Sequence, residues 1–422
     1  MWSRELAICV FFLVYLFIAT EKIHKTIIAL LGGMIVVIAG IVSQEEAFSA
    51  IDFNVLFLLL GMMVIVDVLQ RTGVFQWAAI RSAKIAKGDP IIIMICYALI
   101  TALFSAFLDN VTTVLLIIPT TILIVSQMDL DPVPFVIMEA VASNIGGTAT
   151  LVGDPPNIMI GSAAGLGFND FLKNTGVFVI LNLVVLCFTV WFMFRKRLRI
   201  SNERRAIILA MDEHRAIRDK KLLVKSLVVL FIVIIGFLVH SYVGIEPATV
   251  ALFGASLLLM ITGIPPEEVF KELEWATLMF FVGLFILVEG LVKTGTIAVL
   301  AEKSLSFTSG NVPLTGLVLL WGSGVFSSVV DNIPYVATMI PFLKYIGGSL
   351  GQDITPLWWA LALGACLGGN GTLVGASANV VAAGVAKKSG YHISFIRFAK
   401  YGVLFTLQSL FLATVYIFIR YF

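Results

Sequence analysis

The stretch FSAFLDNVTTVLLIIP, residues 104–119, is an apolar run broken in its middle by Asp109 and Asn110. It occurs twice: FSSVVDNIPYVATMIP, residues 326–341, repeats it 222 positions later, with Asp331 on Asp109, Asn332 on Asn110 and Pro341 on Pro119. The same offset lays IGGTATLVGDPPN at 145–157 on LGGNGTLVGASAN at 367–379, Gly61 on Gly283, Asp67 on Glu289, Glu45 on Glu267, and RTG at 71–73 on KTG at 293–295. One offset holding over more than a hundred residues marks an internal duplication.

The chain around this duplication is 59% hydrophobic and 13% charged, where soluble domains carry roughly a quarter charged residues. Apolar runs of about 20 residues, enough to cross a bilayer, recur from end to end. The first follows a single basic residue, Arg4, with no small-residue cleavage site, so it reads as a retained span rather than a signal peptide. Spans are expected at 5–21, 26–43, 54–70, 134–163, 176–194, 224–241, 248–264, 275–292, 356–386 and 401–420. The stretches 90–127 and 312–346 are too long for one span each and break at Asp-Asn, as paired spans or re-entrant hairpins. Arg195–Lys221 carries ten Lys or Arg against four acids, which makes it cytoplasmic by the positive-inside rule. Five spans precede it, so both termini are expected outside, with the loops Arg71–Lys87 and Lys387–Lys400 inside and the acidic loop Glu45–Asp52 outside. An odd number of spans per half inserts the halves upside down relative to each other. The expected fold is an all-α polytopic membrane protein with about ten transmembrane helices plus two re-entrant hairpins. It divides into an N-terminal repeat (1–194), a cytoplasmic basic linker (195–223) and a C-terminal inverted repeat (224–422).

Inverted repeats with interrupted helices are the pattern of secondary transporters, whose site lies at the repeat interface. A charge at membrane depth is costly and marks a pathway; here two stand at equivalent breaks. Asp109, Asp331 and Asp154 are therefore the candidates for proton or ion coupling. Asp154, in GDPPN, has Ala376 at its counterpart, so a titratable group breaks the symmetry. Gly146, Gly147, Gly368 and Gly369 permit unwinding and close backbone approach. Asn110, Thr112, Thr113, Asn332, Thr148, Thr150, Asn157, Asn370, Thr372 and Asn379 supply hydroxyls and amides for a solute. Simpler readings stand beside these: Asp as a helix cap, Gly-Gly as a packing surface, Asp154 as a turn residue. Cys366, aligned with Asn144, is either a thiol contact for a thiophilic solute or a buried small hydrophobe. Asp67 and Glu289, one turn before Arg71 and Lys293, read as structural ion pairs. Glu139 reads either as an end charge reaching the interface or as part of a proton route.

Other chemistries fall away. The sequence holds no P-loop, its four histidines and four cysteines lack metal or disulfide spacing, and the linker's basic run suits lipid headgroups rather than nucleic acid. No cofactor or metal is expected, and no enzymatic activity. Neither Lys nor Arg falls at the centres of the broken segments, which points to a neutral solute or a cation.

FLDNVTTV, SNIGGTATLVGDPPNI and the repeated DN and GG.GTLVG motifs resemble the ion transporter superfamily over essentially the whole chain. The likeness is to its ArsB/NhaD type, which takes in arsenite and antimonite efflux proteins, silicon exporters, the melanosomal P protein and sodium/proton antiporters. The resemblance implies a scaffold domain and an elevator-like transport domain made of two hairpins and two broken helices. It carries the hairpin motif onto Asp109, Asn110, Thr112, Thr113, Asp331 and Asn332, and the broken-helix motif onto Gly146–Thr150, Asp154, Asn157, Gly368–Thr372 and Asn379. Pro334-Tyr335 departs from Thr112-Thr113. The function expected is proton-coupled efflux of arsenite or antimonite across the cytoplasmic membrane. Alternatives are a sodium/proton antiporter, a dicarboxylate or citrate transporter, and a channel driven by a separate cytoplasmic ATPase docked on the linker. The expected partners are the bilayer, a small inorganic solute or ion, and a second copy of the chain as a homodimer.

Overall fold

The computed structural model describes residues 2–20 and 22–422, and among them every regular element is a helix. The first half contains α1 (Trp2–Thr20), α2 (Lys25–Ile38), α3 (Gln44–Ser49), α4 (Phe53–Arg71), α5 (Val74–Ile85), α6 (Pro90–Phe107), α7 (Asn110–Gln127), α8 (Val133–Gly147), α9 (Pro155–Ala164), α10 (Phe168–Phe171) and α11 (Val177–Phe194). α12 (Asn202–Leu209) lies in the linker. The second half contains α13 (Lys220–Val243), α14 (Pro247–Thr262), α15 (Pro266–Phe270), α16 (Trp275–Lys293), α17 (Thr296–Thr308), α18 (Val312–Val329), α19 (Asn332–Leu350), α20 (Thr355–Gly368), α21 (Ser377–Lys388) and α22 (Phe395–Tyr421).

Eight helices of the first half, α2 to α9, begin 222 residues before their counterparts α14 to α21. Packing follows the same pairing: α6 lies on α8 as α18 lies on α20, α7 meets α21 as α19 meets α9, and α2 crosses α16 as α14 crosses α4. The last crossing explains the repeated Gly61 and Gly283. A Cβ on Gly61 would sit 2.6 Å from the Ala251 carbonyl carbon, and one on Gly283 2.5 Å from that of Ala29, so only glycine lets these helix backbones touch. The repeated RTG and KTG are turns, in which Gly73 and Gly295 take left-handed backbone (φ +83° and +70°) to redirect the chain from α4 into α5 and from α16 into α17.

Among the described residues nine helices are long and apolar enough to cross a bilayer, and α2, α8, α14 and α20 are shorter apolar helices. This is an all-α polytopic membrane protein. Two polar segments are more ordered than the sequence suggests. Arg71–Lys87, read as a loop, contains α5, and Glu45–Asp52 contains α3 with its Ser43/Glu46 capping box; both helices are too short and polar to stand out by hydropathy. The linker is helical only over α12 and a single 3₁₀ turn, Glu213–Ala216, before α13 starts. It folds back onto the chain: Arg81 and Lys84 of α5 hold Glu213 at 2.9 and 2.5 Å, Arg205 reaches Asp89 at 3.4 Å, and the Arg218 amide donates to the Thr72 carbonyl at 2.9 Å. These contacts hold the linker to the chain at a few points, while most of its residues stay exposed.

Candidate functional site

Each hairpin turns at an aspartate that caps its second arm. At the first tip, Asp109 accepts the Thr112 amide at 2.9 Å and the Thr112 hydroxyl, and its own carbonyl accepts the Thr113 hydroxyl at 2.9 Å. At the second, Pro334 stands where Thr112 would be. Asp331 there accepts the Ile333 amide at 3.1 Å and is met by Ser377 Oγ at 2.6 Å and Lys25 Nζ at 2.8 Å. Lys25 begins α2, and Tyr15 of α1 adds a second tie by donating to the Pro334 carbonyl and pairing with Thr338 at 2.7 Å. The broken segments themselves hold no Lys or Arg at their centres, but a lysine enters the site from a helix distant in the chain.

Behind the tips, the broken helices are held by a two-fold set of bonds. Asn157 donates to the carbonyls of Gly147, Thr148 and Thr150, the last at 2.9 Å, as Asn379 donates to those of Gly369 and Thr372 at 2.8 and 2.9 Å. Asn144 donates to the Asn379 oxygen at 3.0 Å, and at the equivalent place the Cys366 thiol donates to the Asn157 oxygen at 3.5 Å. Hydroxyls tie the unwound segments to the hairpins: Thr150 to the Ala106 carbonyl, Thr372 to that of Ser328, Ser105 to that of Ser143 and Ser327 to that of Ala365. Thr148 bonds back to the Asn144 carbonyl at 2.7 Å. Gly146 backs onto Ala102 and Gly368 onto Gly324, where a Cβ would collide with the hairpin backbone. These bonds satisfy the backbone groups exposed where the helices unwind, as membrane depth requires.

A cavity of about 410 Å³ opens between the tips and the N-termini of α2 and α16. Of the residues expected from sequence, Asp109, Asn110, Asp154 and Asn332 line it. Asp331 is not in this lining but faces a neighbouring cavity together with Lys25 and Ser377, its bonding partners. Thr112, Thr113, Gly146, Gly147, Thr148, Thr150, Asn157, Gly368, Gly369, Asn370, Thr372, Asn379 and Cys366 lie outside the lining and build the frame. Lys25 and Glu274 join the lining from outside the motifs, and Ser377 from within the 367–379 motif. Glu274 stands at the N-cap position of α16 without bonding the helix backbone, and accepts the Thr277 hydroxyl at 3.0 Å. Its counterpart 222 residues earlier is Asp52, which caps α4, so an acidic residue at the N-cap position in both halves was the signal available. Lys25 has Pro247 as its counterpart and gave none. Asp154, 1% exposed, accepts the Asn332 amide at 3.3 and 3.5 Å and lies beside the Cys366 thiol, and its side chain makes no cap to α9. Elsewhere, Asp67 pairs with Arg71 at 2.8 Å as expected, but Lys293 turns to Glu46 instead of Glu289. Glu139 is 1% exposed within the helix bundle, which removes its reading as an end charge.

The cavity's charge balance follows. Asp109, Asp154 and Glu274 face it with no ion-pair partner among the described residues, while its one lysine is already matched by Asp331.

Interrupted helices around a buried polar cavity define a membrane transporter, and the known proteins this chain is similar to agree. Residues 15–364 match the citrate transporter family model; the chain belongs to this family of the ion transporter superfamily. It is 45% identical over 424 residues to an uncharacterized transporter of Mycobacterium tuberculosis, covering 99% of this chain and 98% of that one. It is 46% identical over 422 residues to the 46 kDa membrane protein of Mycobacterium leprae, again covering 99% and 98%. With the P protein of Homo sapiens it shares 36% identity over 477 residues, 92% of this chain and 56% of that protein. The crystal structure of the Alcanivorax borkumensis YdaH transporter has the same fold, with a TM-score of 0.59 at 14% identity, over 87% of this chain and 84% of that one.

Proposed function

We propose that this protein is a proton-coupled secondary transporter whose cargo carries no net negative charge, with arsenite, as arsenous acid, and antimonite as the foremost cargo. The observation that carries this is the set of three carboxylates facing one cavity without a cation of their own. Charges buried together repel a bare polyanion, so citrate would enter only with bound cations. A neutral hydroxyacid can instead accept from Asn110 and Asn332 and donate to the carboxylates. Protons arriving at Asp109 or Asp154 would then be exchanged against cargo.

The second reading, a sodium/proton antiporter, draws on the same carboxylate and amide oxygens, which are hard ligands for an alkali cation. In either case the two halves are taken as inverted repeats, 1–194 and 224–422, in the cytoplasmic membrane, with both termini outside and the linker cytoplasmic. The hairpins and broken helices are taken to move as one body against the remaining helices. Inside-out vesicles given an acidic interior and labelled arsenite test the reading. Accumulation that a protonophore abolishes, and that Asp154→Asn loses, is the expected result. Accumulation driven by ATP in the presence of the protonophore would contradict it.

A further inference from the structure

A second polar cluster lies inside the bundle of α6, α7 and α8, away from the cavity. Glu139 of α8 accepts the Thr121 hydroxyl of α7 on Oε1 at 2.5 Å, and its Oε2 has no partner. Two more buried atoms without partners, Tyr97 Oη and Thr101 Oγ1, stand one turn apart on α6, on residues 1% and 0% exposed.

The register of the helices brings these groups together. Gly146 lies on Ala102, and Thr150 bonds the Ala106 carbonyl, so α6 and α8 run side by side in the same direction. That sets Tyr97 near the level of Glu139, and Thr101 near the level of Asn144. Glu139 precedes Asn144 by five residues, about 7.5 Å of helix. Asn144 accepts from Asn110 at 3.1 Å, and Asn110 lines the cavity. In the other direction, α7 ends at Gln127, whose carbonyl accepts Arg204 of the linker at 3.2 Å. The cluster thus stands between the linker face and the central cavity.

An ionised carboxylate with an unpartnered oxygen in a protein interior costs several kcal/mol unless a positive charge joins it. The three helices carry no other acidic or basic residue, Cys96 and Tyr97 being their remaining titratable groups. Of the other helices packed against α8, α11 and α20 have no charged residue, and α21 and α22 carry theirs near their ends, at Lys387, Lys388, Arg397, Lys400 and Arg420. α5 and α12, packed on α6 and α7, carry Arg81, Lys84, Glu203, Arg204 and Arg205 at the linker face, where Arg81 and Lys84 pair with Glu213, Arg205 with Asp89, and Arg204 with Asp129 and the Gln127 carbonyl. The positive charge must therefore be a small one admitted from outside. One carboxylate and three hydroxyls are hard oxygen ligands, suited to a proton or an alkali cation. The second half has Leu361 at the equivalent position, so this feature belongs to one repeat only.

We propose that Glu139, with Thr121, Tyr97 and Thr101, forms a second monovalent-cation site, for a proton or sodium, on the route between the linker face and the central cavity. The test uses the purified full-length protein in detergent with no cargo present, so it stands apart from the identity of the cargo. Protons bound per chain are counted on titration from alkaline to acid pH, with and without sodium chloride. The wild type should bind one proton more than Glu139→Gln, and the same difference should appear in the Asp109→Asn background, which alters only the central site. Release of that proton on adding sodium, absent in Glu139→Gln, identifies sodium as a competing occupant; no effect of sodium identifies the proton alone. Equal uptake by wild type and Glu139→Gln, in both salts, overturns the proposal. Should Glu139→Gln fail to fold, Tyr97→Phe keeps the carboxyl and must shift the midpoint of the same uptake; an unchanged midpoint overturns the cluster.

Discussion

Lys25 and Cys366 show what single side chains do here. Removing Lys25 leaves Asp331 buried with Ser377 and one backbone amide as partners. Breaking a buried pair this way costs about 3–5 kcal/mol when both groups are enclosed, and less where one is reached by water; the Lys25 side chain is 28% exposed. Lys25→Gln should lower stability by about 2 kcal/mol on that reasoning, and adding Asp331→Asn should restore most of it, read as thermal unfolding in detergent. A double variant no more stable than the single would deny the pairing its weight. Cys366 stands where the first half has Asn144 and makes the equivalent bond to Asn157. Cys366→Ala should leave the dependence of transport on metalloid concentration within about two-fold of wild type, a weak thiol bond being worth under 1 kcal/mol. A ten-fold weaker half-saturation would make the thiol a cargo ligand. The Asp-Asn tips were legible because repetition at membrane depth has few other causes. Lys25 was not: it begins an ordinary span, its counterpart is a proline, and its partner lies 306 residues away.

At the scale of elements, the linker and the repeated glycines govern how helices are held. Lys84 and Arg81 hold the Glu213 carboxyl down at about 2, against its ordinary 4.5. A lowered value stabilises the docked linker at every pH above the ordinary one, and that contribution is lost as pH falls from 4.5 through 2. Hydrogen exchange over residues 201–219 should therefore stay slow at neutral pH and accelerate in that acid window. Glu213→Gln should exchange fast at neutral pH too, and continued protection there would show that other contacts hold the linker. Gly146→Val would drive two methyls into the Ala102 backbone. Overpacking costs about 1–3 kcal/mol even where neighbours can shift, and backbone cannot, so little folded protein is expected on size-exclusion chromatography; a normal monodisperse yield would contradict the contact. Element existence followed closely from hydropathy for the long spans, whereas α3 and α5 escaped it because their amphipathic turns mimic polar loops. Most of the expected hydroxyl and amide groups lie outside the cavity lining. Sequence marks such groups as special, but only the fold tells whether they face the cavity or the unwound backbone.

The whole molecule joins two related halves so that a pair of tips and a pair of unwound helices close around one acidic cavity. The halves differ at several of their buried charges: Asp154 stands against Ala376, Lys25 against Pro247 and Glu139 against Leu361. The central claim is that the acidic cavity exchanges protons for a cargo without net negative charge. It is tested most directly in proteoliposomes holding a pH-sensitive dye, given arsenite, sodium, lithium and citrate in turn, with Asp109→Asn and Asp154→Asn as controls. A pH change on adding arsenite, absent with citrate and lost in both variants, is the expected result. A response to citrate alone, or one that both variants retain, would contradict it.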